Sequence, residues 1–241
     1  QVMTLKKYIP DAITSMNLVC GIIGVIFAFK ARFDLAFYLM LAASVFDFMD
    51  GFFARALGAY SDMGKELDSL CDLVSFGVLP SVMLYSLMKS CSFGESVWCY
   101  IPLMISLFSA LRLAKFNVDG RQGEMFLGLP TPACALLCAS LCFFVCASPD
   151  SFLAIWAAGP VFIPLLSVTL SLLLVCELPM FSFKFHRGDA KTLKLKRLLY
   201  LLLLLATAVV ILAFRVHWSA IVLCAVVFYI LKNLVYYFAK L

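Results

Sequence analysis

The chain has 241 residues, of which 64% are hydrophobic and only 14% are charged, and its mean hydropathy is +1.04. A soluble domain carries about 25% charged residues, so this composition excludes an ordinary soluble protein and indicates an integral membrane protein. The net charge of +5 does not indicate a nucleic-acid-binding protein, because no basic stretch is interleaved with aromatic residues.

Eight apolar stretches are long enough to cross a bilayer as helices. They are residues 12–29, 34–54, 66–88, 98–114, 130–147, 152–176, 197–214 and 217–239. The sequence therefore predicts an all-α polytopic membrane protein with about eight transmembrane helices.

Lysine and arginine are distributed unevenly between the two sides of this predicted bundle. If the N-terminus is cytoplasmic, the inner segments hold fourteen of them, and the outer loops hold only Lys30, Arg32, Lys89 and Arg215. This asymmetry follows the positive-inside rule. It predicts that the connection between the second and third helices faces the cytoplasm.

The ten cysteines are expected to be isolated thiols. Four of them recur at every fourth position of one apolar stretch: Cys134, Cys138, Cys142 and Cys146. On such a helix face cysteine behaves as a small hydrophobic residue. Cys91 and Cys99 flank a short loop and would pair only in an oxidising compartment.

The most informative feature is a set of four aspartates within an otherwise apolar region. They are Asp47, Asp50, Asp68 and Asp72. The first two are three residues apart and the last two are four apart, so on helices each pair lies on one face. Ionisable groups at membrane depth mark functional sites. Because four facing anions repel, the spacing predicts a site for divalent cations such as Mg²⁺, which binds carboxylate oxygens and leaves room for substrate phosphates.

Small residues and one arginine accompany these acids. Gly51 and Ala54 remove side-chain bulk and open a slot for a flat ring, whereas Arg55 is either a snorkelling residue or a bidentate ligand for phosphate oxygens. Gly64 lies in the turn into the third helix, where close approach or positive φ is expected. On the first helix, Asn17 either belongs to a small-residue packing face or lines a polar cavity beside the carboxylates.

Residues 47–72 read D-x2-D-G-x2-A-R-x8-G-x3-D-x3-D, and this stretch resembles the signature of the CDP-alcohol phosphotransferases. The resemblance implies a helical membrane enzyme, usually a homodimer, with a six-helix core and two bound divalent ions, Mg²⁺ or Mn²⁺. It implies that Asp47, Asp50 and Asp68 hold one ion. It further implies that Asp47, Asp68 and Asp72 approach the other, and that Asp72 is the general base.

The same resemblance places the nucleotide. Gly51 and Ala54 would border the cytidine, and Arg55 would lie near the diphosphate. Gly64 and Asn17 are the further residues assigned to nucleotide and diphosphate binding. The site is expected to face the cytoplasm, in the inner membrane of a bacterial cell.

Five more stretches are similar to the phosphatidylserine synthases, the serine-using branch of this family. They are residues 9–18, 64–70, 72–77, 111–117 and 128–132. This likeness implies that CDP-diacylglycerol and L-serine are the substrates and that CMP is released. Residues 178–184 depart from the branch, which tends to carry Tyr-Pro-Ser-Phe-Lys there.

Free serine carries a carboxylate that needs a partner. Arg112 and Asn117, at the exit of the fourth helix, are the expected pair, although positive-inside anchoring also accounts for basic residues at that position. Residues 1–176 are expected to form the catalytic core, and residues 177–241 a basic loop followed by two additional helices.

Two other functions remain open from the sequence. The same chemistry could use glycerol phosphate or inositol phosphate as acceptor, but a phosphorylated acceptor calls for a denser basic cluster than the sequence offers. A divalent-cation transporter would also use intramembrane acids, but the acids here lie towards one membrane face only.

Overall fold

The computed structural model describes residues 2–91, 96–118, 126–180, 211 and 216–238. The helices in these ranges are α1 (Val2–Phe29), α2 (Phe33–Leu57), α3 (Asp62–Asp72), α4 (Leu79–Ser90), α5 (Met104–Val118), α6 (Thr131–Ala147), α7 (Phe152–Ala157), α8 (Phe162–Val175) and α9 (Ser219–Phe238). A π-helical turn, Leu73–Val78, joins α3 to α4, and a 3-10 segment, Val97–Leu103, leads into α5. Two-residue strands, β1 (Phe126–Leu127) and β2 (Pro179–Met180), pair antiparallel.

The predicted all-α, polytopic membrane architecture is confirmed. Within the described ranges, four helices are long and apolar enough to cross a membrane: Tyr8–Phe29, Phe33–Leu57, Asp62–Ser90 and Val97–Val118. Shorter apolar helices follow at Thr131–Ala147, Phe162–Val175 and Ser219–Val235. Of the eight predicted spans, the one at 197–214 lies outside the described residues except for Ile211.

One predicted span is interrupted. The stretch 152–176 forms α7 and α8 with a break between them, rather than one continuous helix. Gly159 and Pro160 lie in this break. Proline lacks an amide hydrogen and disfavours the helical conformation of the residue before it, so the helix ends here.

The connection between α2 and α3 brings the two acid-bearing helix ends side by side. Gly58 terminates α2 in the left-handed conformation, with φ 59°, as glycine commonly does at a helix C-terminus. Ser61 caps α3 by accepting a hydrogen bond from the Gly64 amide at 2.9 Å. Only a short turn therefore separates the acids of α2 from those of α3.

Helix α1 packs closely against the α3–α4 segment. A Cβ atom on Gly24 would lie 2.7 Å from Leu79 Cδ2, and one on Gly21 would lie 3.1 Å from Ser75 Cα. The small residues on this face of α1 therefore allow close helix packing. The core beneath this contact consists of buried apolar side chains. Its larger members, each at most 2% exposed, include Phe37, Met40, Phe76, Leu79, Met83, Ile105 and Leu141.

None of the ten cysteines forms a disulfide, so Cys91 and Cys99 are not joined to each other. In the stripe on α6, Cys134, Cys138 and Cys142 are buried. They act there as small apolar side chains in the packing of α6.

Gly128, just before α6, cannot carry a side chain without strain. Its φ is 76°, and a Cβ atom there would lie 2.7 Å from the Leu174 carbonyl oxygen and 2.8 Å from that of Cys176. We expect Gly128→Ala to lower the free energy of unfolding by about 2–3 kcal/mol, since the left-handed conformation and the backbone clash both oppose Cβ. The unfolding midpoint in detergent measures this.

Gly58→Ala is the matched control for that prediction. Gly58 also has positive φ, but no atom lies within 4 Å of its Cβ position. Its substitution should cost only about 1 kcal/mol, the conformational part. Equal losses in the two variants would contradict the role of the crowded carbonyl oxygens.

Candidate active site

Three of the four predicted acids converge between α2 and α3. One carboxylate oxygen each from Asp47, Asp50 and Asp68 lies within 4.8 Å of the others. Asp50 is buried, and Asp68 Oδ1 is a buried atom without a hydrogen-bond partner among the described residues. Three carboxylates this close repel one another unless a cation lies between them. The donor set is all oxygen, which fits a hard divalent cation.

Asp72 lies one turn further along α3 and does not join that group. Within the described ranges, Asp47, Asp50 and Asp68 form the one set of at least three candidate ligands at this spacing. Asp72 Oδ1 instead accepts a hydrogen bond from Asn17 Nδ2 at 3.1 Å. Asp47, Asp68 and Asp72 were the ligands expected for a second ion, and they do not form a second group of this kind within the described residues.

Thr14 orients one of the three clustered acids. It is buried on α1, and its Oγ1 lies 2.6 Å from Asp50 Oδ2 and 3.0 Å from the Pro10 carbonyl oxygen. A hydroxyl donates most strongly to an ionised acceptor, so the short contact to Asp50 is the stronger of the two. This contact places a polar side chain of α1 beside the carboxylates.

A cavity of about 830 Å³ opens beside the acids. Its lining includes Pro10, Asp11, Thr14, Asp50, Gly51, Ala54, Asp68 and residues 59–65. Its volume falls in the usual range of about 300–1,000 Å³ for small-molecule sites. The cavity is therefore large enough for a nucleotide, and its lining contains both acidic and apolar groups.

The predicted slot residues border this cavity. A Cβ atom on Gly51 would meet only Arg55 Nη2, at 4.0 Å, so the space over Gly51 is open. A Cβ atom on Gly64 would lie 2.9 Å from Ser61 Oγ, which is the close approach expected at that turn. Arg55 is exposed at the end of α2 and has no ion-pair partner in the described part of the chain.

Arg112 and Asn117 contact different elements. Arg112 is 8% exposed and donates from Nη1 to Thr131 Oγ1 at 2.6 Å, while its Nε has no partner among the described residues. Asn117 Nδ2 donates to Ser69 Oγ at 2.9 Å and lies 3.4 Å from Glu66 Oε2. The structure therefore directs Arg112 towards α6 and Asn117 towards α3.

Two features of the site were missed from the sequence. The turn at 59–65 forms a large part of the cavity wall, and the π-helical turn begins directly after Asp72. Lys65 Nζ donates to the Asn117 carbonyl oxygen at 3.2 Å and so connects this turn to α5. The sequence placed Gly64 in a turn before the third helix, but no local pattern indicated the π-helical geometry.

An apolar helical bundle with clustered carboxylates beside a nucleotide-sized cavity defines a polytopic membrane protein with a set of acids that could hold a divalent cation. Residues 7–173 match the model of the CDP-alcohol phosphatidyltransferase family. The chain belongs to that family. Its members use divalent metal ions, which agrees with the oxygen donor set of Asp47, Asp50 and Asp68.

Curated relatives in this family carry one name, CDP-diacylglycerol–serine O-phosphatidyltransferase. The chain is 32% identical to the protein of that name from Bacillus subtilis over 183 residues, which cover 76% of this chain and 95% of the relative. It is 33% identical to the Mycobacterium leprae protein over 237 residues, covering 92% and 74% of the two chains. Identity to the Methanocaldococcus jannaschii protein is 37% over 134 residues, covering 56% and 60%.

Proposed function

We propose that this protein is a CDP-diacylglycerol–serine O-phosphatidyltransferase. It transfers the phosphatidyl group of CDP-diacylglycerol to the hydroxyl of L-serine and releases CMP. The observation that carries this proposal is the cluster of Asp47, Asp50 and Asp68 on the wall of a cavity large enough for a nucleotide. The name shared by the relatives supports serine as the acceptor.

The nucleotide end of the substrate occupies the cavity between α1, α2 and the turn at 59–65. Gly51 and Ala54 leave room for the cytidine ring, and Gly64 lets the start of α3 approach the ligand. Arg55, at the rim, suits the diphosphate because a guanidinium binds phosphate oxygens bidentately. Divalent cations, Mg²⁺ or Mn²⁺ and two in number, would neutralise the diphosphate and the developing charge when bound to the acid cluster.

Asp72 acts on the acceptor rather than on the nucleotide. The serine hydroxyl oxygen attacks the β-phosphorus in line, the bond from that phosphorus to the CMP oxygen breaks, and the hydroxyl proton passes to Asp72. A serine hydroxyl is a weak acid, so a base within hydrogen-bonding reach accelerates the attack. Asp72 is the acid that stands outside the cation group, which leaves it available for this proton.

Arg112 binds the serine carboxylate. Arg112 is 8% exposed, and its Nε has no partner among the described residues. Burying a charged guanidinium in this way costs free energy unless an anion lies beside it. Asn117 supports the acceptor site indirectly, because its amide binds Ser69 and Glu66 and so fixes α3, the helix that carries Asp72, against α5. Serine is thereby oriented with its hydroxyl towards Asp72.

Loss of the Arg112 charge should weaken serine binding selectively. We expect Arg112→Gln to raise KM for serine by about 30- to 1,000-fold, the equivalent of about 2–4 kcal/mol for removing one partner of a buried charge pair. KM for CDP-diacylglycerol should stay within a few-fold of the wild-type value. Steady-state kinetics with each substrate varied in turn measure both quantities.

Lys115→Gln provides the control on the same helix. Lys115 Nζ pairs with Glu177 Oε1 at 2.9 Å at the protein surface, where the two side chains are 37% and 63% exposed. Exposed pairs contribute little, so this variant should change neither KM by more than a few-fold. A rise in KM for serine equal to that of Arg112→Gln would indicate a general effect of positive charge near α5.

The proposed site faces the cytoplasm of a bacterial inner membrane, and the enzyme is a homodimer. Residues 1–176 form the catalytic core, and residues 177–241 add the basic loop and the final helices. The excess of lysine and arginine on the inner side supports this orientation. The lipid chains of CDP-diacylglycerol enter sideways from the bilayer, which accounts for a nucleotide site within a membrane-spanning bundle.

A direct assay tests the proposed reaction. Purified protein in detergent is supplied with CDP-diacylglycerol, L-serine and Mn²⁺ or Mg²⁺, and CMP release is measured. Unlabelled glycerol 3-phosphate and inositol phosphate compete with labelled serine in parallel reactions. Serine-dependent CMP release is the expected result. Absence of CMP with serine under all these conditions, or release only with a phosphorylated alcohol, would overturn the assignment.

A further inference from the structure

Asn17 is attached twice to the segment that carries Asp72. Its Nδ2 donates to Asp72 Oδ1 at 3.1 Å, and its backbone carbonyl oxygen accepts a hydrogen bond from Ser75 Oγ at 3.1 Å. Ser75 lies in the π-helical turn directly after Asp72. Asn17 itself is 0% exposed. These contacts place its side-chain amide beside the proposed base.

The second polar atom of this amide is unsatisfied. Asn17 Oδ1 is buried and has no hydrogen-bond partner in the part of the chain that the structure describes. A carbonyl oxygen can only accept hydrogen bonds, and leaving a buried acceptor unpaired is costly. A ligand that fills this position must therefore present a hydrogen-bond donor.

Arg112 Nε is a complementary unsatisfied atom. It is a buried donor without a partner among the described residues. Arg112 belongs to α5, which packs closely against the π-helical turn after Asp72, since a Cβ atom on Gly77 would lie 3.0 Å from Ser109 Cβ. Because Asn17 Oδ1 and Arg112 Nε are both unpaired, they do not satisfy each other. One unfilled acceptor and one unfilled donor therefore lie on α1 and α5, the helices that pack against Asp72 and the π-helical turn after it.

A free amino acid carries the matching groups. Its ammonium donates and its carboxylate accepts, and in serine both are attached to the carbon next to the reacting CH₂OH. We propose that Asn17 holds Asp72 in position through Nδ2 and receives the ammonium group of the acceptor at Oδ1. Together with Arg112 it makes the pocket selective for an α-amino acid. This inference rests on the proposed function, and it moves Asn17 from the nucleotide to the acceptor.

The serine analogue that lacks the amine, 3-hydroxypropanoate, tests the Oδ1 contact. The measured quantity is the ratio of kcat/KM for L-serine to kcat/KM for the analogue. Asn17→Ala should lower this ratio about tenfold or more, as expected for losing a hydrogen bond to a charged group. KM for CDP-diacylglycerol should stay within about threefold of the wild-type value, since a contact made only to the acceptor leaves nucleotide binding unchanged.

Asn17→Asp separates the two roles of the amide. The new carboxylate still accepts from the ammonium, so the preference for serine over the analogue should be retained or increased. The donor to Asp72 is lost, so kcat should fall. Because aspartate has nearly the same shape as asparagine, this variant tests the contact between residue 17 and the ammonium group even if Asn17→Ala does not fold.

Thr14→Val is the matched variant one turn away. It removes a hydrogen bond of similar burial that reaches Asp50 instead of Asp72, so it should leave the amine preference at the wild-type value. Two results would overturn the inference: an unchanged preference in Asn17→Ala together with a raised KM for CDP-diacylglycerol, or a lost preference in Asn17→Asp. Failure of the proposed function itself would be seen separately, as wild-type protein that does not use serine.

Discussion

Asp72→Asn should reduce kcat by about 10³-fold or more while leaving the protein folded. The proposed base contributes about 10²–10⁴-fold in general acid–base catalysis, and an amide cannot accept the serine proton. Asn keeps the shape of Asp, and Asp72 lies outside the group formed by Asp47, Asp50 and Asp68. CMP release and the unfolding midpoint, measured on the same preparation, separate catalysis from folding.

Asp34→Asn is the appropriate control. Asp34 lies at the opposite end of α2 and pairs with Arg32 at 3.1 Å on the exposed surface. Removing this charge should leave kcat within about twofold, because exposed ion pairs contribute little. A variant of Asp72 that retains most of the wild-type kcat would exclude it as the base.

Metal removal should abolish turnover, and Asp50→Asn should reproduce much of that loss at ordinary Mn²⁺ concentrations. The three oxygens of Asp47, Asp50 and Asp68 lie within 4.8 Å of one another, so removing one of three ligands weakens the site greatly. We expect the Mn²⁺ concentration for half-maximal activity to rise about 100-fold, equivalent to about 2.7 kcal/mol. Activity after chelation and re-addition of Mn²⁺ measures this.

Thermal unfolding gives a second readout that does not depend on activity. A cation that binds only the folded protein raises its stability with concentration, so the unfolding midpoint of the wild type should increase with Mn²⁺. Without metal, Asp50→Asn should be more stable than the wild type, because one repelling carboxylate has been removed. Its midpoint should respond weakly to Mn²⁺, whereas Asp34→Asn should respond like the wild type. Full turnover after exhaustive chelation would contradict the cation site.

The length and apolar character of the stretches were sufficient for the membrane class and for six of the eight helix positions, and the three-residue spacing of Asp47 and Asp50 was sufficient to place them together. These properties depend on local spacing and on the cost of polar groups in lipid. The predicted span at 197–214 lies outside the described residues except for Ile211, so it stays a prediction. The break between α7 and α8 was not predicted. Gly159 and Pro160 lie there, but the prediction followed the apolar length of the whole stretch 152–176 rather than these two residues.

Contacts between distant helices could not be predicted. Asn17 and Asp72 are 55 positions apart, and only the packing of α1 against α3 shows that the amide meets this acid. Arg112 and Asn117 are five residues apart, about 140° around a helix, so they point to different neighbours. Because they are close in the sequence, they were predicted to bind serine as a pair. In the structure Arg112 contacts α6, whereas Asn117 contacts α3.

The sequence by itself determined that four aspartates lie at one end of two membrane helices, because their spacing and apolar surroundings are local properties. Only the tertiary structure decided that these acids are unequal. The turn at Gly58–Ser61 sets the distance between α2 and α3 and brings Asp47, Asp50 and Asp68 together. The packing of α1 then gives Asp72 a separate hydrogen-bond partner in Asn17. Side chains from different helices meet only when those helices pack, and no local pattern encodes that distance.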